Sequence, residues 1–183
     1  FQMVVVFLAN GFEEVEALAT VDLLRRAEVE VVTVGIENKA VCGAHGIKVV
    51  ADITDTEFIY DNQIEMVVLP GGMPGTTELE KAICVNQALE NAQRDGKWIA
   101  AICAAPSILG HKGFLRGKKA CCYPGFEEQL IQGNAVSERV VQDDNIITAR
   151  GAGCVFEFAA KLIEVLKGKE AADKVSSDIL CKK

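Results

Sequence analysis

Short apolar runs that alternate with amphipathic segments constrain the fold of this chain more than any other feature. Met3–Leu8, Met66–Leu69 and Trp98–Ile102 are wholly apolar, whereas Glu13–Ala27 and Cys154–Lys167 repeat apolar residues at helical spacing. Strands without polar alternation are buried on both faces, as in parallel sheets that helices cover from both sides. The pattern therefore predicts an α/β fold, a three-layer sandwich with a mainly parallel sheet between two layers of helices.

The remaining segments fit the same architecture. We expect a single domain over residues 1–183, because the chain contains no repeat, low-complexity run or Pro/Ser-rich linker. In sheets of this kind, ligands bind beyond the carboxyl ends of the strands. Further strands are predicted at Val29–Ile36, Lys119–Cys122, Arg139–Gln142 and Ile146–Ala149, further helices at Asn86–Arg94 and Ala105–His111, and a short hairpin at Val41–Cys42 and Ile47–Ala51.

Charge and cysteine content restrict the class of function. The net charge of −7 argues against binding to nucleic acid or to an anionic membrane surface. The apolar opening Met3–Ala9 is too short to span a bilayer and lacks the basic residues of a signal peptide, so we expect no membrane partner. The seven cysteines are odd in number and form no CxxC pair, which indicates a reducing compartment and predicts a cytoplasmic protein.

Cys103 is the strongest candidate for a reactive residue. It lies between the predicted strand Trp98–Ile102 and a helix that begins near Ala105-Pro106, where proline fits the first helical turn. Unpaired backbone amides and the helix dipole at such a junction favour the thiolate, so the sequence predicts a lowered pKa for the thiol. An inert buried cysteine is the alternative interpretation, and the position at a strand-to-helix turn does not by itself decide between the two.

The pair Gly71-Gly72 follows another predicted strand. The backbone amides of Gly72 and Ala104 are expected to form an oxyanion site beside Cys103, and a plain turn is the alternative. The run Gly71–Gly75 does not match a dinucleotide-binding pattern, and no glycine-rich loop leads into Gly-Lys-Ser/Thr. We therefore expect neither NAD nor ATP nor another cofactor.

Titratable side chains cluster at the start of the first predicted helix. Glu13, Glu14 and Glu16 cannot all point the same way, so one is expected to turn inward, although most acids at a helix start are solvated. A carboxyl buried beside a thiolate would stay protonated and donate a hydrogen bond to the sulfur. His111 is assigned to a favourable contact at a helix carboxyl end, and the role of His45 stays open. Isolated histidines and scattered cysteines predict no metal site.

Four of these segments resemble one known family. Gly11–Ala17, Leu69–Gly72, Ala100–Pro106 and Thr148–Gly153 are similar to motifs of the ThiJ/PfpI superfamily, in the branch that contains the Parkinson-disease-associated protein deglycase. The likeness extends from about Met3 to Lys174. The four motifs in this order are specific, whereas any one of them alone would not be.

The resemblance implies a flavodoxin-like fold and a homodimer. It also implies that Cys103 is an oxidisable nucleophile, that Glu16 is its protonated partner, and that Gly72 and Ala104 supply the oxyanion amides. The residues then expected to contact the substrate are Gly71, His45, Tyr123 and Arg150.

Three functions follow from the resemblance. The leading hypothesis is a cysteine-dependent, cofactor-independent glyoxalase or deglycase that acts on methylglyoxal, a related dicarbonyl or a glycated substrate. An oxidative-stress redox sensor or chaperone that uses the same cysteine is the alternative. A cysteine amidase or peptidase is a further alternative. It is less favoured, because Ala104 and Tyr123 occupy positions where related branches carry a histidine. His45 likewise stands near a family arginine, so anion binding there is not predicted.

Overall fold

The computed structural model describes residues 2–181, in which strands and helices alternate along the chain. The strands are β1 (Met3–Leu8), β2 (Glu30–Gly35), β3 (Ala40–Cys42), β4 (Lys48–Val50), β5 (Ile53–Thr54), β6 (Ile64–Leu69), β7 (Trp98–Ile102), β8 (Lys119–Ala120), β9 (Asn134–Ala135), β10 (Val140–Asp143) and β11 (Ile146–Ala149). The helices are α1 (Glu14–Arg26), α2 (Gly75–Lys81), α3 (Ile83–Arg94), α4 (Pro106–His111), α5 (Val155–Lys167) and α6 (Lys169–Asp178).

The central sheet has the strand order β10-β11-β7-β6-β1-β2-β5. Every neighbouring pair is parallel except β10 and β11, which pair antiparallel at the edge. The chain runs from β1 outward to β2 and then returns to β6 on the other side of β1. The order therefore reverses between β1 and β6, which is the point where doubly wound sheets bind ligands.

Two apolar layers cover the two faces of the sheet. Val4, Val6 and Leu8 of β1 pack with α1, α5 and α6, while Val5 and Phe7 of the same strand pack with α2, α3 and α4. Successive side chains of a strand point to opposite faces, so a wholly apolar strand contributes to both layers. This arrangement confirms the predicted three-layer α/β sandwich. Within the described residues, no helix is both long enough and apolar enough to cross a membrane.

The structure departs from the predicted elements where the sequence carries weak signals. Helix α2 was not predicted, because it begins with Gly-Thr-Thr and no side chain caps its first turn. Helix α6 was missed because it is mostly polar and follows α5 after the single residue Gly168. The short strands β5 and β9 were missed as well. The strand predicted over Lys119–Cys122 ends at Ala120, since the Cys121 N–H donates instead to the Thr148 hydroxyl at 3.0 Å.

Candidate active site

The site is assembled from three segments that follow neighbouring parallel strands. The loop after β1 leads into α1, whose first turn carries Glu16, the loop after β6 carries Gly71 and Gly72, and Cys103 follows β7 directly. Because β1, β6 and β7 are adjacent, their carboxyl ends bring these residues together. The location at the carboxyl ends of the strands agrees with the expectation from the sequence.

Cys103 occupies a tight turn with a backbone conformation that residues other than glycine rarely adopt. Its φ is +66°, in the left-handed region that non-glycine residues visit only where surrounding contacts hold them. The Cys103 N–H donates to the Ala149 carbonyl at 2.9 Å, and its carbonyl accepts from the Tyr123 N–H at 2.8 Å. The Ser107 hydroxyl fixes the next residue by donating to the Ala104 carbonyl at 2.6 Å. The turn thus presents the sulfur beyond the strand end.

Glu16 is the carboxyl that turns inward from the first helix. The residue is only 1% exposed, and its Oε2 accepts a hydrogen bond from the Gly71 N–H at 2.9 Å. Its side chain is also hydrogen-bonded to the Cys103 thiol. A Cβ added at Gly71 would lie 2.6 Å from the Cys103 Cβ and 2.7 Å from Glu16 Oε2. Only glycine at position 71 therefore leaves room for the pair.

Two backbone amides converge on the sulfur. The N–H groups of Ala104 and Gly72 are both hydrogen-bonded to the Cys103 thiol. Gly72 can point its amide there because it adopts a φ of +91°, and a Cβ at this residue would lie 2.4 Å from the Glu13 nitrogen. The structure therefore brings together Cys103, Glu16, Gly72 and Ala104 as the sequence expected.

The predicted lowering of the thiol pKa is contradicted by the surroundings of the sulfur. Burial raises the pKa of Cys103 to about 12, and the negative charge of Glu16 acts in the same direction, whereas the two amides act against it. Helix α4 has six residues and begins three positions after the cysteine, so its dipole does not offset the loss of water. Burial also raises the pKa of Glu16, to about 7. Near neutral pH the pair therefore holds one proton between sulfur and carboxylate.

His45 anchors the β3–β4 hairpin and is bonded away from the sulfur. Its Nδ1 lies 3.0 Å from Glu14 Oε2, and the Glu14 carboxylate also accepts from the N–H groups of His45 and Ile47. The hydrogen bond with Glu14 raises the pKa of His45. Glu13 caps α1 by accepting from the Glu16 N–H at 2.7 Å. Glu14 is a second buried acid beside Glu16, so the expectation that one of the three acids turns inward is wrong in number.

Glu13, Glu14 and His45 have donor atoms within 4.8 Å of one another, close enough to share a metal ion. The Glu14 and His45 side chains already bond each other, and the other oxygen of each carboxylate holds backbone N–H groups. These contacts explain the cluster as an anchor for the hairpin and the start of α1.

Tyr123 and Arg150 flank the turn that holds the cysteine. Tyr123 is about half exposed, and its ring lies 3.4 Å from the position of a Cβ on Gly151. The Arg150 Nε donates to the Cys122 carbonyl at 3.4 Å, and the residue lines a cavity of about 410 Å³. Both residues border the strand ends, whereas neither side chain is hydrogen-bonded to the Cys103 sulfur among the contacts of the described residues.

The family model described as the DJ-1/PfpI family matches residues 2–165. The chain belongs to the DJ-1/PfpI family. It is 42% identical over 97% of its length to protein DJ-1 homolog A of Arabidopsis thaliana, and spans 46% of that protein. The chain thus covers about half the length of this plant relative. It is also 30% identical to a Caenorhabditis elegans protein named glutathione-independent glyoxalase DJR-1.2, over 89% of this chain and 87% of that one.

Solved structures of the DJ-1/PfpI family show the same fold. Drosophila melanogaster DJ-1beta matches with a TM-score of 0.92 and 35% identity, over 98% of this chain and 97% of that one. An oxidised DJ-1 of Toxoplasma gondii matches with a TM-score of 0.91 and 35% identity, over 98% of both chains. These likenesses confirm the flavodoxin-like α/β sandwich and the family predicted from the four motifs.

The raised pKa of Glu16 makes a prediction about stability. The folded pKa of about 7 exceeds the ordinary value of 4.5, so the folded state binds the proton more tightly than the unfolded chain. The contribution of Glu16 to the free energy of unfolding is therefore most favourable below pH 4.5 and declines as the pH rises through 7. Glu16→Gln keeps an acceptor for the Gly71 N–H. Its free energy of unfolding, relative to that of wild type, is expected to increase by roughly 1–3 kcal/mol between pH 5 and pH 8.

Urea unfolding of both proteins at pH 5 and pH 8 measures this difference. Glu164→Gln, a change on the partly exposed side of α5, is the control and should leave the pH dependence unchanged. A wild-type advantage over Glu16→Gln that stays constant across this range would contradict a raised pKa.

Proposed function

We propose that this protein is a cysteine-dependent, cofactor-independent glyoxalase or deglycase that acts on methylglyoxal, a related dicarbonyl or its adducts. The observation that carries the proposal is the Cys103–Glu16 pair, a thiol hydrogen-bonded to a buried carboxyl whose pKa is raised to about 7. A general base works best when its pKa lies near the operating pH. The relative named glutathione-independent glyoxalase supports the same reaction class.

The first step adds the sulfur to the aldehyde carbon. The S–C bond forms while the thiol proton passes to the Glu16 carboxylate, so that sulfur never carries a full negative charge next to an ionised acid. The aldehyde oxygen becomes an oxyanion, and the amides of Gly72 and Ala104 are placed to stabilise it. Protonation of that oxygen by Glu16 completes a hemithioacetal and restores the carboxylate.

The second step moves a proton between neighbouring carbons. The Glu16 carboxylate removes the proton from the carbon bonded to sulfur, which yields an enediolate, and returns it to the adjacent carbon, while the hydroxyl proton of the first carbon moves to the oxygen of the second. The product is a lactoyl thioester on Cys103. Water then cleaves the S–C bond, which releases lactate and regenerates the thiol. Overall, methylglyoxal gains one water and no electrons are exchanged with an outside acceptor.

Contacts around the pair suggest how the substrate is held. We propose that the backbone of Gly71 and the side chains of Tyr123, Arg150 and His45 border the substrate. Neither imidazole supports the amidase or peptidase alternative, because His45 bonds Glu14, and His111 bonds Glu80 and Gln129. A cysteine peptidase requires a base that serves both nucleophile and leaving group, so the glyoxalase reaction fits this geometry better.

Lactate production from methylglyoxal tests the proposal. Cys103→Ala is expected to lower kcat/KM by roughly 10³-fold or more, because the nucleophile is removed. Glu16→Gln is expected to lower it by about 10²-fold and to remove the rise in activity around pH 7 that wild type should show. Cys84→Ala serves as the matched control and should retain wild-type activity. Equal rates in wild type and both site variants would overturn the mechanism.

A redox sensor or stress chaperone that uses the same cysteine is the second candidate. It is favoured by the oxidised form of the Toxoplasma gondii relative and by the donors around the sulfur, which could bond sulfinate oxygens. Mild peroxide followed by mass spectrometry separates the candidates. A sensor is expected to oxidise at Cys103 several-fold faster than at Cys84 and Cys181. Similar oxidation rates at all three cysteines would exclude the sensor function.

We further propose a homodimer through the outer surface of α1 and its neighbours. Val15 and Leu18 of α1, Phe156 at the start of α5 and Ile47 of the hairpin are large apolar side chains exposed on adjacent elements. Sedimentation should report twice the chain mass for wild type and the monomer mass for Leu18→Glu. Leu180→Glu, at an exposed residue near the carboxyl end, should remain dimeric. A monomeric wild-type protein would contradict this assembly.

We also propose a cytoplasmic location. All seven cysteines are free thiols in the described structure. Unpaired cysteines in this number are typical of a reducing compartment.

A further inference from the structure

A large cavity of the described residues lies away from Cys103, between helix α3 and the segment that follows β5. Its volume is about 780 Å³, within the range of small-molecule sites. The walls combine aromatic and aliphatic side chains: Ile36, Phe58, Ile59, Tyr60, Ile83 and Ala88. Ile59 and Ile83 are largely exposed at its rim, at 80% and 75%. We refer to this cavity as the α3 groove.

The charges of the α3 groove are unbalanced. Glu37, Asp55 and Glu78 line it, against the single cation Lys81. Lys81 is already paired with Glu78 at 3.2 Å. Glu37 and Asp55 have no ion-pair partner among the contacts of residues 2–181, so two carboxylates face the groove without a counter-charge.

The Tyr60 hydroxyl oxygen is buried beside the Asp95 carboxylate, which does not line the groove. Tyr60 therefore contributes its ring, and not a free hydrogen-bonding group, to the wall.

We propose that the α3 groove is a second ligand site, which takes small molecules that combine an apolar, preferably aromatic, body with a protonated amine. The apolar body would fill the space between Phe58 and Ile83. The ammonium group would lie near the unpaired carboxylates of Glu37 and Asp55. Charge complementarity selects a cation over a neutral or anionic molecule of the same shape.

The site is separate from the reaction centre. None of the residues that form the Cys103 pair or its amides lines the groove. A smaller cavity of about 230 Å³, which shares Ile36, Glu37 and Glu78 with the groove, extends to Asn10 and Pro74 near the loop that carries Gly72. Because the groove contains no residue of the Cys103 site, binding at the α3 groove does not depend on the proposed glyoxalase activity.

Titration of the ¹⁵N-labelled protein with benzylamine, benzyl alcohol and benzoate tests the proposal. At neutral pH these probes share one ring and differ in charge. Benzylamine is expected to give saturable amide shifts confined to residues 58–60 and 83–88, with a dissociation constant of about 1 mM for so small a probe. Benzyl alcohol should bind at least fivefold more weakly, and benzoate should show no saturation.

Variants assign the binding to the groove. Glu37→Gln combined with Asp55→Asn should weaken benzylamine binding at least fivefold, while Glu28→Gln, at an exposed acid elsewhere, should leave it unchanged. Asn at position 55 can still accept from the Thr56 N–H, so the fold is preserved. Cys103→Ala should bind benzylamine as wild type does. Shifts centred on the Cys103 loop, equal affinity for benzoate, or no saturable shift would each overturn the proposal.

Discussion

The hydrogen bond between the Cys103 thiol and the Glu16 carboxyl is the interaction on which the site depends. Neither group is stable as an isolated ion where it lies, because burial raises the pKa of both. When the two acids share one proton, the buried pair carries a single negative charge, and the protonated partner stabilises that charge by a hydrogen bond. The pair can transfer that proton without water, and this property makes a weakly acidic thiol usable as a nucleophile at neutral pH.

The scaffold holds this pair by close approach of backbone rather than by bulky contacts. Gly71 has no side chain, and its N–H fixes Glu16 Oε2, so the loop after β6 lies directly against the cysteine. The left-handed conformation of Cys103 is held from both sides by its bonds to Ala149 and Tyr123. Strain at the nucleophile is thus balanced by the adjoining strand and loop. Three neighbouring strands of one parallel sheet position the site.

Much of this arrangement could be predicted from the sequence, for identifiable reasons. Wholly apolar strands such as β1 and β7 identified a parallel sheet, and Cys103 and Gly72 were located because strand ends collect functional residues. Helices α2 and α6 were missed because tertiary packing, not propensity or capping, stabilises them. The protonation of the pair was misjudged because burial of a sulfur is a three-dimensional property. A helix boundary in a sequence indicates a dipole but not how much water the fold removes.

The pH dependence of Cys103 alkylation by iodoacetamide, followed by mass spectrometry in wild type and Glu16→Gln, tests the shared proton most directly. The wild-type rate is expected to rise through a step near pH 7, where the pair loses its first proton. In Glu16→Gln the thiol has no carboxylate to receive its proton, so the rate at pH 7 should fall and the step should move to higher pH. Superimposable profiles for the two proteins would show that the thiol ionises independently of Glu16 and that the two groups share no proton.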